Sequence, residues 1–160
     1  MADVYKISRN EYPLVPLRGL WAYPNTILNF DCARPISKNA IDNANVTNKD
    51  VFLVNQKNVF DENPRSDDLY DYGMVVSIKE SFSLPNGDIR VYVQAKSIAK
   101  IKEVSTGEGF YKAVVEEYEY IEKNESETNK KEALRKMLIE DFKIYIELDG
   151  SNFDESVSSI

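Results

Sequence analysis

Between residues 12 and 121, the hydrophobic and polar positions follow patterns typical of β-strands. Val51–Val54 is a short, continuous apolar run of the kind found in buried strands. A largely apolar stretch over residues 73–84 is followed by Pro-Asn-Gly-Asp at 85–88 and by the alternating stretch Ile89–Val93. Because an Asn-Gly pair supplies the two positive-φ positions of a type I′ turn, these segments predict a β-hairpin.

Two further strands are predicted after the hairpin, over residues 98–104 and 110–121. The alternation in the second of them shifts phase near Glu116-Glu117, as a β-bulge would cause. Several short strands joined closely predict a mostly antiparallel sheet or a small barrel.

One short helix is predicted among these strands. Ser37 is a suitable N-cap, and Ile36 and Ile41 are spaced to form a hydrophobic staple across the first turn. Ala40, Ile41 and Ala44 continue an inward-facing apolar stripe, and the helix is expected to end near Asn45.

A longer amphipathic helix is predicted over about residues 127–149, after a polar stretch at 122–129. Its apolar stripe comprises Leu134, Leu138, Phe142, Tyr145 and Leu148, widened by Met137 and Ile144. The pairs Glu127–Lys131 and Glu132–Lys136 have the spacing of favourable ion pairs. This helix is interpreted as an arm or docking element, and packing against the sheet as a cover is the alternative.

The last ten residues predict the start of another helix. Ser151 is a suitable N-cap, and Phe153, Val157 and Ile160 recur on one helical face without a C-cap signal. This pattern predicts a truncated helical subdomain over 151–160, with ordinary terminal fraying as the alternative.

Composition and charge narrow the classes of function. The protein has 160 residues, 42% of them hydrophobic, and a net charge of −7, which fits one folded domain and disfavours a nucleic-acid partner. It contains neither an apolar run of membrane-spanning length nor a signal-peptide pattern, which predicts a cytoplasmic protein. The one cysteine, Cys32, is expected to be a small buried residue and not a nucleophile.

Several catalytic classes lack the residues they need. The sequence has no histidine, which excludes Ser-His-Asp and Cys-His catalysis and the usual zinc sites. No glycine is followed by lysine, so a phosphate-binding loop of the Gly-Lys-Ser/Thr type is absent. Paired-carboxylate chemistry stays open on composition, but Asp67, Asp68 and Asp71 are better explained by a solvated loop. No catalytic residue, metal site or cofactor is predicted in this sequence.

The order of several segments resembles the N-terminal domain of the Lon family of ATP-dependent cytosolic proteases. The matching segments are Pro13–Leu20 with Tyr23-Pro24, Arg34 with Ser37–Ala44, Val51–Lys57, Leu69–Gly73, Leu84–Gly87, Val91–Val93 and Ala99–Ile101. Beyond the strands, Glu132–Leu148 and Asn152–Val157 resemble the helices that lead into the family's ATPase. Each motif alone is weak, but seven ordered segments with suitable gaps are specific.

The resemblance implies a mainly β fold with helices. It implies a PUA-like pseudo-barrel of mostly antiparallel strands with one short side helix, followed by the long C-terminal helix. The expected organisation is an N-terminal tail at 1–10, the PUA-like domain at 11–122, a linker and long helix at 123–150, and the truncated helical subdomain at 151–160.

The resemblance also implies a function. In this family the region recognises unfolded or degron-bearing proteins and delivers them to an ATPase ring. The family's ATPase, which uses ATP and Mg²⁺, lies outside this sequence, and so does its Ser-Lys peptidase. This chain is therefore expected to be non-catalytic. The expected partners are protein substrates and the remainder of a hexameric protease, while the fragment is expected to be a monomer or a weak dimer.

A substrate receptor of this kind needs exposed apolar or hydrogen-bonding groups. Trp21 and Tyr23, next to Gly19 and Leu20, are candidates for gripping apolar side chains, with core packing as the alternative. The segment that opens the short helix, represented by Arg34, Ile36 and Asn39, is a second candidate because a helix N-terminus presents free N–H groups, with simple capping as the alternative. Phe60, in a polar loop, is a third.

Other classes of function remain as alternatives. A stand-alone protein-interaction module of the same fold, or a domain that mainly organises protease assembly, would share these motifs. An RNA-binding role of the PUA fold is disfavoured by the net charge of −7. An independent enzyme is the weakest class, since no catalytic constellation is present.

Overall fold

The computed structural model describes residues 5–48, 50–120, 130, 132–141 and 144. The protein divides into two compact units, Met1–Glu119 and Tyr120–Ile160. The first unit contains a small closed barrel with one helix. Its elements are β1 (Tyr5–Leu17), β2 (Ile27–Cys32), α1 (Pro35–Thr47), β3 (Val51–Asn55), a 3-10 turn (Ser66–Asp68), β4 (Tyr72–Ser83), β5 (Ile89–Gly107) and β6 (Phe110–Tyr120), the last of which ends at the boundary between the units.

The strands follow the order β2-β5-β4-β3-β1-β6, and β6 also pairs with β5. Five strands therefore close into a barrel, while β2 extends the sheet alongside the first half of β5. The β2–β5, β3–β4, β4–β5 and β5–β6 pairs are antiparallel, whereas β1 and β3 are parallel. A parallel pair needs a long crossover connection, and β2 and α1 lie within it. The prediction of a mainly β fold with a small barrel and one side helix is confirmed.

Strand β3 lies between two apolar clusters, and all five of its residues are buried. Val51 and Leu53 pack with Ile41 of α1 in one cluster, and Phe52 and Val54 pack in the other. Because both faces are buried, the strand is a continuous apolar run and not an alternating one.

Strand β5 corrects two predictions. The stretches predicted as separate strands, residues 89–93 and 98–104, belong to one strand of 19 residues. Its pairing register shifts at Lys96 against β4 and at Lys102 against β6, and each shift interrupts the alternation that the prediction relied on. The bulge expected near Glu116-Glu117 is wrong, because both residues pair with β5 in continuous register.

The hairpin between β4 and β5 is confirmed, but its turn is not type I′. Gly87 has a φ of +84°, whereas Asn86 has no positive φ. The amide of Gly87 donates to the carbonyl of Leu84 at 2.9 Å, and the amide of Leu84 donates to the carbonyl of Asp88 at 2.7 Å. These bonds define a three-residue loop with a type I turn and a bulge at glycine, which suits Pro85 at the first central position.

The bounds of α1 also differ from the prediction. Arg34 is the N-cap and Pro35 occupies the first turn, so Ser37 lies inside the helix and does not cap it. The helix continues past Asn45 to Thr47, where Asn48 adopts the left-handed conformation with a φ of +51°. Asparagine tolerates this conformation and commonly ends helices.

Residues 5–10, predicted as part of an N-terminal tail, belong to β1. Their polar composition obscured the strand, but β1 adjoins β6 in the barrel, and the side chain of Asn10 donates to Glu117 of that strand at 2.7 Å. Strand β1 therefore begins at Tyr5.

In the second unit, residues 130, 132–141 and 144 are helical, within the range predicted for the long helix. The predicted pair Glu132–Lys136 is present, with 3.4 Å between the carboxylate oxygen and Nζ. Phe142, Tyr145, Leu148, the pair Glu127–Lys131 and the predicted helix over 151–160 lie outside the described residues. No helix within the described ranges has both the length and the apolar character needed to cross a membrane.

A polar cluster centred on Glu117 joins β1, β5 and β6. The Glu117 carboxylate accepts hydrogen bonds from Asn10 Nδ2 at 2.7 Å, Tyr12 Oη at 2.5 Å and Ser97 Oγ at 2.6 Å. Burial alone would raise the pKa of Glu117, but these hydrogen bonds and the nearby Lys96 ammonium outweigh it and hold the pKa below its usual range. The ionised carboxylate therefore stabilises the closure of the barrel.

Glu117→Gln is expected to lower the free energy of unfolding by about 1–2 kcal/mol at pH 7, because the amide cannot accept all three hydrogen bonds as a carboxylate does. Since the pKa of Glu117 is lower in the folded state, its contribution is present above the unfolded pKa of about 4.3 and is lost as pH falls below it. The variant should lose this part of the acid sensitivity. Urea unfolding at pH 7 and pH 4 measures both effects.

Glu116→Gln is the matched control, because Glu116 neighbours Glu117 on β6 and pairs with the Lys102 ammonium at 2.9 Å. Single ion pairs that remain in contact with solvent contribute about 0–1 kcal/mol. Equal losses of stability in the two variants would contradict the structural role of Glu117.

Candidate functional site

Five exposed or half-exposed apolar side chains form one continuous depression on the barrel, here called the aromatic groove. Its residues are Trp21 and Tyr23 from the loop between β1 and β2, Tyr70 and Tyr72 around the start of β4, and Ile98 of β5. Their exposed fractions range from 42% to 66%, which is high for side chains of this size. The ring centroids of Trp21 and Tyr70 lie 5.7 Å apart.

The groove contains two adjoining cavities that share Trp21 and Tyr72 as walls. The first has a volume of about 210 Å³. Buried side chains of β3 and β4, including Leu53 and Met74, line it beneath the aromatic rings. An apolar side chain entering this cavity would therefore meet apolar surface below it and on its sides.

The second cavity, of about 350 Å³, has a more polar lining. Lys57 and Asp71 line it together with the aromatic rings. On β5, the Lys100 ammonium lies 5.4 Å from the centroid of the Tyr72 ring. Both signs of charge surround the groove, so its affinity for a ligand should come mainly from apolar contact.

Asn55, the last residue of β3, holds both segments that carry the aromatic side chains. Its side-chain oxygen accepts from the amide of Gly19 at 3.0 Å, and its side-chain nitrogen donates to the carbonyl of Leu20 at 2.8 Å. Its backbone carbonyl accepts from the amide of Tyr70 at 3.0 Å. The residue is only 5% exposed, and its side-chain amide fixes the start of the Trp21 loop while its backbone carbonyl fixes the approach of Tyr70.

A turn orders the other end of the Trp21 loop. Pro24 and Asn25 are its central residues, and Asn25 has a φ of +64°, as the third position of a type II turn requires. Thr26 closes the turn, since its hydroxyl donates to the carbonyl of Tyr23 at 2.6 Å. The amide of Asn25 then donates to the carbonyl of Ala95 on β5 at 3.2 Å. The aromatic side chains are thus presented by a loop fixed at both ends.

Two of the candidates from the sequence, Trp21 and Tyr23, lie in the groove. They are 55% and 66% exposed, so their side chains are not core residues. Leu20, also considered beside them, lines the first cavity and packs partly against the core. Their role in binding stays a prediction.

The candidates that open α1 lie outside the groove and make structural contacts. The guanidinium of Arg34 donates to Gln56 Oε1 at 2.9 Å and to the carbonyl of Pro16. Ile36 packs against both core clusters. The side chain of Asn39 donates to the carbonyl of Gly109 at 3.0 Å and thereby joins α1 to the β5–β6 hairpin. None of these three residues lines the aromatic groove.

Phe60, the remaining candidate, is 86% exposed in the loop between β3 and the 3-10 turn. It does not line either cavity of the groove. The structure therefore brings Trp21 and Tyr23 together but leaves Phe60 apart from them.

Tyr70, Tyr72 and Ile98 were not among the candidates predicted from the sequence. The ring of Tyr72 also lies 6.5 Å from that of Tyr118 on β6, which extends the aromatic surface across a third strand. The one available signal was the Tyr-Asp-Tyr-Gly segment at 70–73, in which two aromatic residues precede a strand in a polar context.

The structure also describes the one cysteine and the possible metal-ligating residues. Burial raises the pKa of the Cys32 thiol to about 12, which keeps it protonated and unreactive near neutral pH. Within the described ranges, no group of three or more histidine, cysteine or carboxylate residues has the arrangement of a metal site. The groove is therefore characterised by its shape and apolar surface.

Comparisons with known proteins place this fold in a family. A family model described as the ATP-dependent protease La (LON) substrate-binding domain matches residues 11–160. The Lon protease of Finegoldia magna is 36% identical over 148 residues, which are 92% of this chain and 19% of that protein. The Lon protease of Clostridioides difficile is 36% identical over 162 residues, covering all of this sequence and 21% of that protein.

Solved structures show the same fold at low sequence identity. The N-terminal domain of a Mycobacterium avium complex Lon protease aligns with a TM-score of 0.54 and 14% identity, over 88% of this chain and 73% of that one. A Lon N-terminal domain protein from Xanthomonas campestris aligns with a TM-score of 0.50 and 13% identity, over 71% of this chain and 60% of that one.

The chain spans about a fifth of the length of the curated relatives it matches. The family model covers the barrel from residue 11 onward, the loop that carries Trp21 and the described helical residues of the second unit. On these grounds the chain belongs to the family of Lon protease substrate-binding domains.

Proposed function

We propose that this protein receives substrates for a Lon protease by binding apolar side chains of unfolded or degron-bearing segments in the aromatic groove. The observation that carries the proposal is the exposure of Trp21, Tyr23 and Tyr72 around an apolar cavity, with the exposed Tyr70 in the adjoining cavity. Folded proteins bury most of their large apolar side chains, whereas unfolded segments expose them. A receptor with an apolar cavity thereby distinguishes the two.

The energetics favour aromatic walls for this purpose. Removing apolar surface from water contributes about 25 cal/mol per Å², and tyrosine and tryptophan bring large areas at a low cost in side-chain entropy. Because Asn55 and the turn at Asn25 fix the loop, little additional ordering accompanies binding. The surface therefore suits sequence-tolerant binding of extended segments.

In the whole protease, the bound segment would pass to an ATPase ring that uses ATP and Mg²⁺ and then to a Ser-Lys peptidase. The ATPase and peptidase activities and the hexameric assembly would be supplied by parts of the protease outside this sequence. The proposal also places the whole protease in the cytoplasm. The described domain would act only by binding.

The test is fluorescence anisotropy with a labelled protein kept unfolded by reduction and alkylation, and with the same protein folded. We expect preferential binding of the unfolded form, with nearly equal affinity at about 50 and 500 mM salt, because apolar contact is not screened. Weak affinity is made measurable by immobilising the domain at high density, which supplies avidity.

Equal binding of the two forms, or no binding even to the densely immobilised domain, would contradict the proposed function. Binding that disappears at high salt would instead indicate recognition of charge and would contradict the role of the aromatic groove.

A further inference from the structure

Strand β2 forms a free edge of the sheet, because among the described strands it pairs with β5 alone. Its six residues, Ile27–Cys32, keep a continuous antiparallel register with β5. In such a pair, successive residues of a strand direct their backbone groups alternately toward the partner strand and away from it. Every second residue of β2 therefore directs its N–H and C=O groups away from β5. We call this row of backbone groups the β2 edge.

One hydrogen bond shows which residues form the β2 edge. The amide of Ala95 on β5 donates to the carbonyl of Thr26, directly before β2, at 2.9 Å. Counting in steps of two from Thr26 places the bonds to β5 at the even-numbered residues of β2. Within the described ranges, the backbone groups of the odd-numbered residues have no hydrogen-bond partner. These residues are Ile27, Asn29 and Asp31.

The β2 edge is open to solvent. Ile27 is 71% exposed, and Asn29 and Asp31 are exposed as well. A cavity of about 210 Å³ lies between the second half of β2 and the end of β1, so β1 does not cover this part of the edge. Three N–H donors and three C=O acceptors are therefore available to a partner from outside the described residues.

The usual protection of a free edge is missing from β2. Soluble proteins commonly protect such edges with proline, lysine, a β-bulge or an unpaired charge, each of which discourages another strand. Strand β2 contains neither proline nor lysine, and its register with β5 has no bulge. Its one charged residue, Asp31, is paired with Arg90 of β5, which donates two hydrogen bonds of 2.7 Å to the carboxylate. The edge is therefore a suitable template for an additional strand.

We propose that an extended segment of a substrate adds to the β2 edge as a further strand, held by main-chain hydrogen bonds to Ile27, Asn29 and Asp31. A row of alternating N–H and C=O groups is complementary to another extended main chain. Unfolded segments have unpaired main-chain groups, whereas folded proteins pair almost all of theirs. The choice of a substrate as occupant rests on the proposed function. It is supported by continuity, since the turn at Tyr23–Thr26 joins the aromatic groove directly to β2.

The side chains of β2 indicate which segments fit. On one face of the sheet, an added strand would lie beside Leu28 and Phe30, which are half-buried and pack against the core. On the other face it would lie beside the exposed Ile27. Such neighbours favour apolar, β-branched residues at alternate positions. A second copy of the chain is a poorer occupant, because each copy carries a net charge of −7.

Amide hydrogen exchange of the ¹⁵N-labelled protein, followed by NMR, tests the proposal. The probe is the peptide acetyl-Thr-Val-Thr-Val-Thr-Val-amide with N-methyl groups on its threonines, which leave one edge of the peptide able to pair. In the free protein, we expect fast exchange at Ile27, Asn29 and Asp31 and slow exchange at Leu28 and Phe30. With free peptide at about ten times its Kd, exchange at the three edge residues should slow by about tenfold, because only the unbound protein exchanges there.

The control peptide has the same sequence with every amide between its residues N-methylated, so neither of its edges can donate hydrogen bonds. It should give no protection. Because the probe contains no aromatic residue, the protection should persist in Trp21→Ala. This persistence separates the β2 edge from the aromatic groove, so failure of one proposal is distinguishable from failure of the other.

Asn29→Pro and Asn29→Ala form a matched pair of variants. The proline variant lacks one N–H group of the β2 edge, whereas the alanine variant keeps it. Proline is tolerated on an edge strand where the N–H faces solvent, so both variants should fold. We expect Asn29→Pro to weaken binding of the probe by about three- to tenfold, as loss of one hydrogen bond does, and Asn29→Ala to leave it unchanged.

Four results would overturn the proposal. They are slow exchange of the three edge amides in the free protein, no protection even at millimolar peptide, equal protection by the two peptides, and equal affinities of the two folded Asn29 variants. Protection that grows with protein concentration in the absence of peptide would show that a second copy occupies the β2 edge and would also overturn it. The comparison of the two peptides uses the wild-type protein and stands even if Asn29→Pro fails to fold.

Discussion

Gly73→Ala is expected to lower the free energy of unfolding by about 2–3 kcal/mol, a large fraction of the stability of a small domain. A Cβ atom built at Gly73 would lie 2.3 Å from the carbonyl oxygen of Leu53 and 2.6 Å from Cζ of Phe52. Phe52 is fully buried and Leu53 belongs to the neighbouring strand, so neither can move freely. The barrel therefore depends on glycine where β4 approaches β3.

Thermal and urea unfolding measure this effect, with an expected decrease in Tm of roughly 5–10 °C. Gly107→Ala is the matched control, because Gly107 has no positive φ and a Cβ there would meet nothing within 4 Å. The control should change stability by no more than about 0.5 kcal/mol. Similar losses in both variants would mean that the close approach at Gly73 is not the cause.

Trp21→Ala is expected to weaken binding of the unfolded protein by at least about tenfold, as loss of an aromatic anchor at a binding hot spot does. The side chain is 55% exposed and its ring packs against that of Tyr70, which is also partly exposed, so the Tm should change little. Anisotropy titration and thermal unfolding of the same preparation measure the two effects separately.

Phe82→Ala is the matched control for Trp21→Ala. Phe82 is 45% exposed and stacks on Tyr92 with ring centroids 5.9 Å apart, outside the aromatic groove. Its loss should leave the affinity unchanged, and so should Phe60→Ala if the groove is the whole apolar site. An equal decrease in affinity for Trp21→Ala and Phe82→Ala would indicate nonspecific hydrophobic adsorption.

Strand β3 and the β4–β5 hairpin were predictable because local sequence determines them. The run Val51–Val54 is apolar throughout since β3 is buried on both faces, and residues 84–88 contain the residues that a tight turn needs. The continuity of β5 was not predictable in the same way. Pairing with three neighbouring strands keeps it extended through the register shifts at Lys96 and Lys102, and the alternation of single residues carries no such information.

In the candidate site, too, residues marked by a local sequence feature were predictable, and residues brought in by tertiary contacts were not. Trp21 and Tyr23 were suggested by a local feature, aromatic residues between a turn-forming glycine and a proline. Tyr72 and Ile98 joined them only through the pairing of β4 with β5. The contribution of Asn55 depends on two hydrogen bonds to residues 35 and 36 positions earlier, which no spacing rule anticipates.

The most direct measurement uses the intrinsic fluorescence of Trp21, the only tryptophan in the sequence. An unfolded protein without tryptophan is titrated into the domain while anisotropy of a label on that protein reports binding. If substrate segments enter the aromatic groove, the Trp21 emission should shift to shorter wavelength and saturate at the same concentration as the anisotropy. Saturable binding with an unchanged Trp21 emission would show that unfolded proteins bind elsewhere and would contradict the role of the aromatic groove.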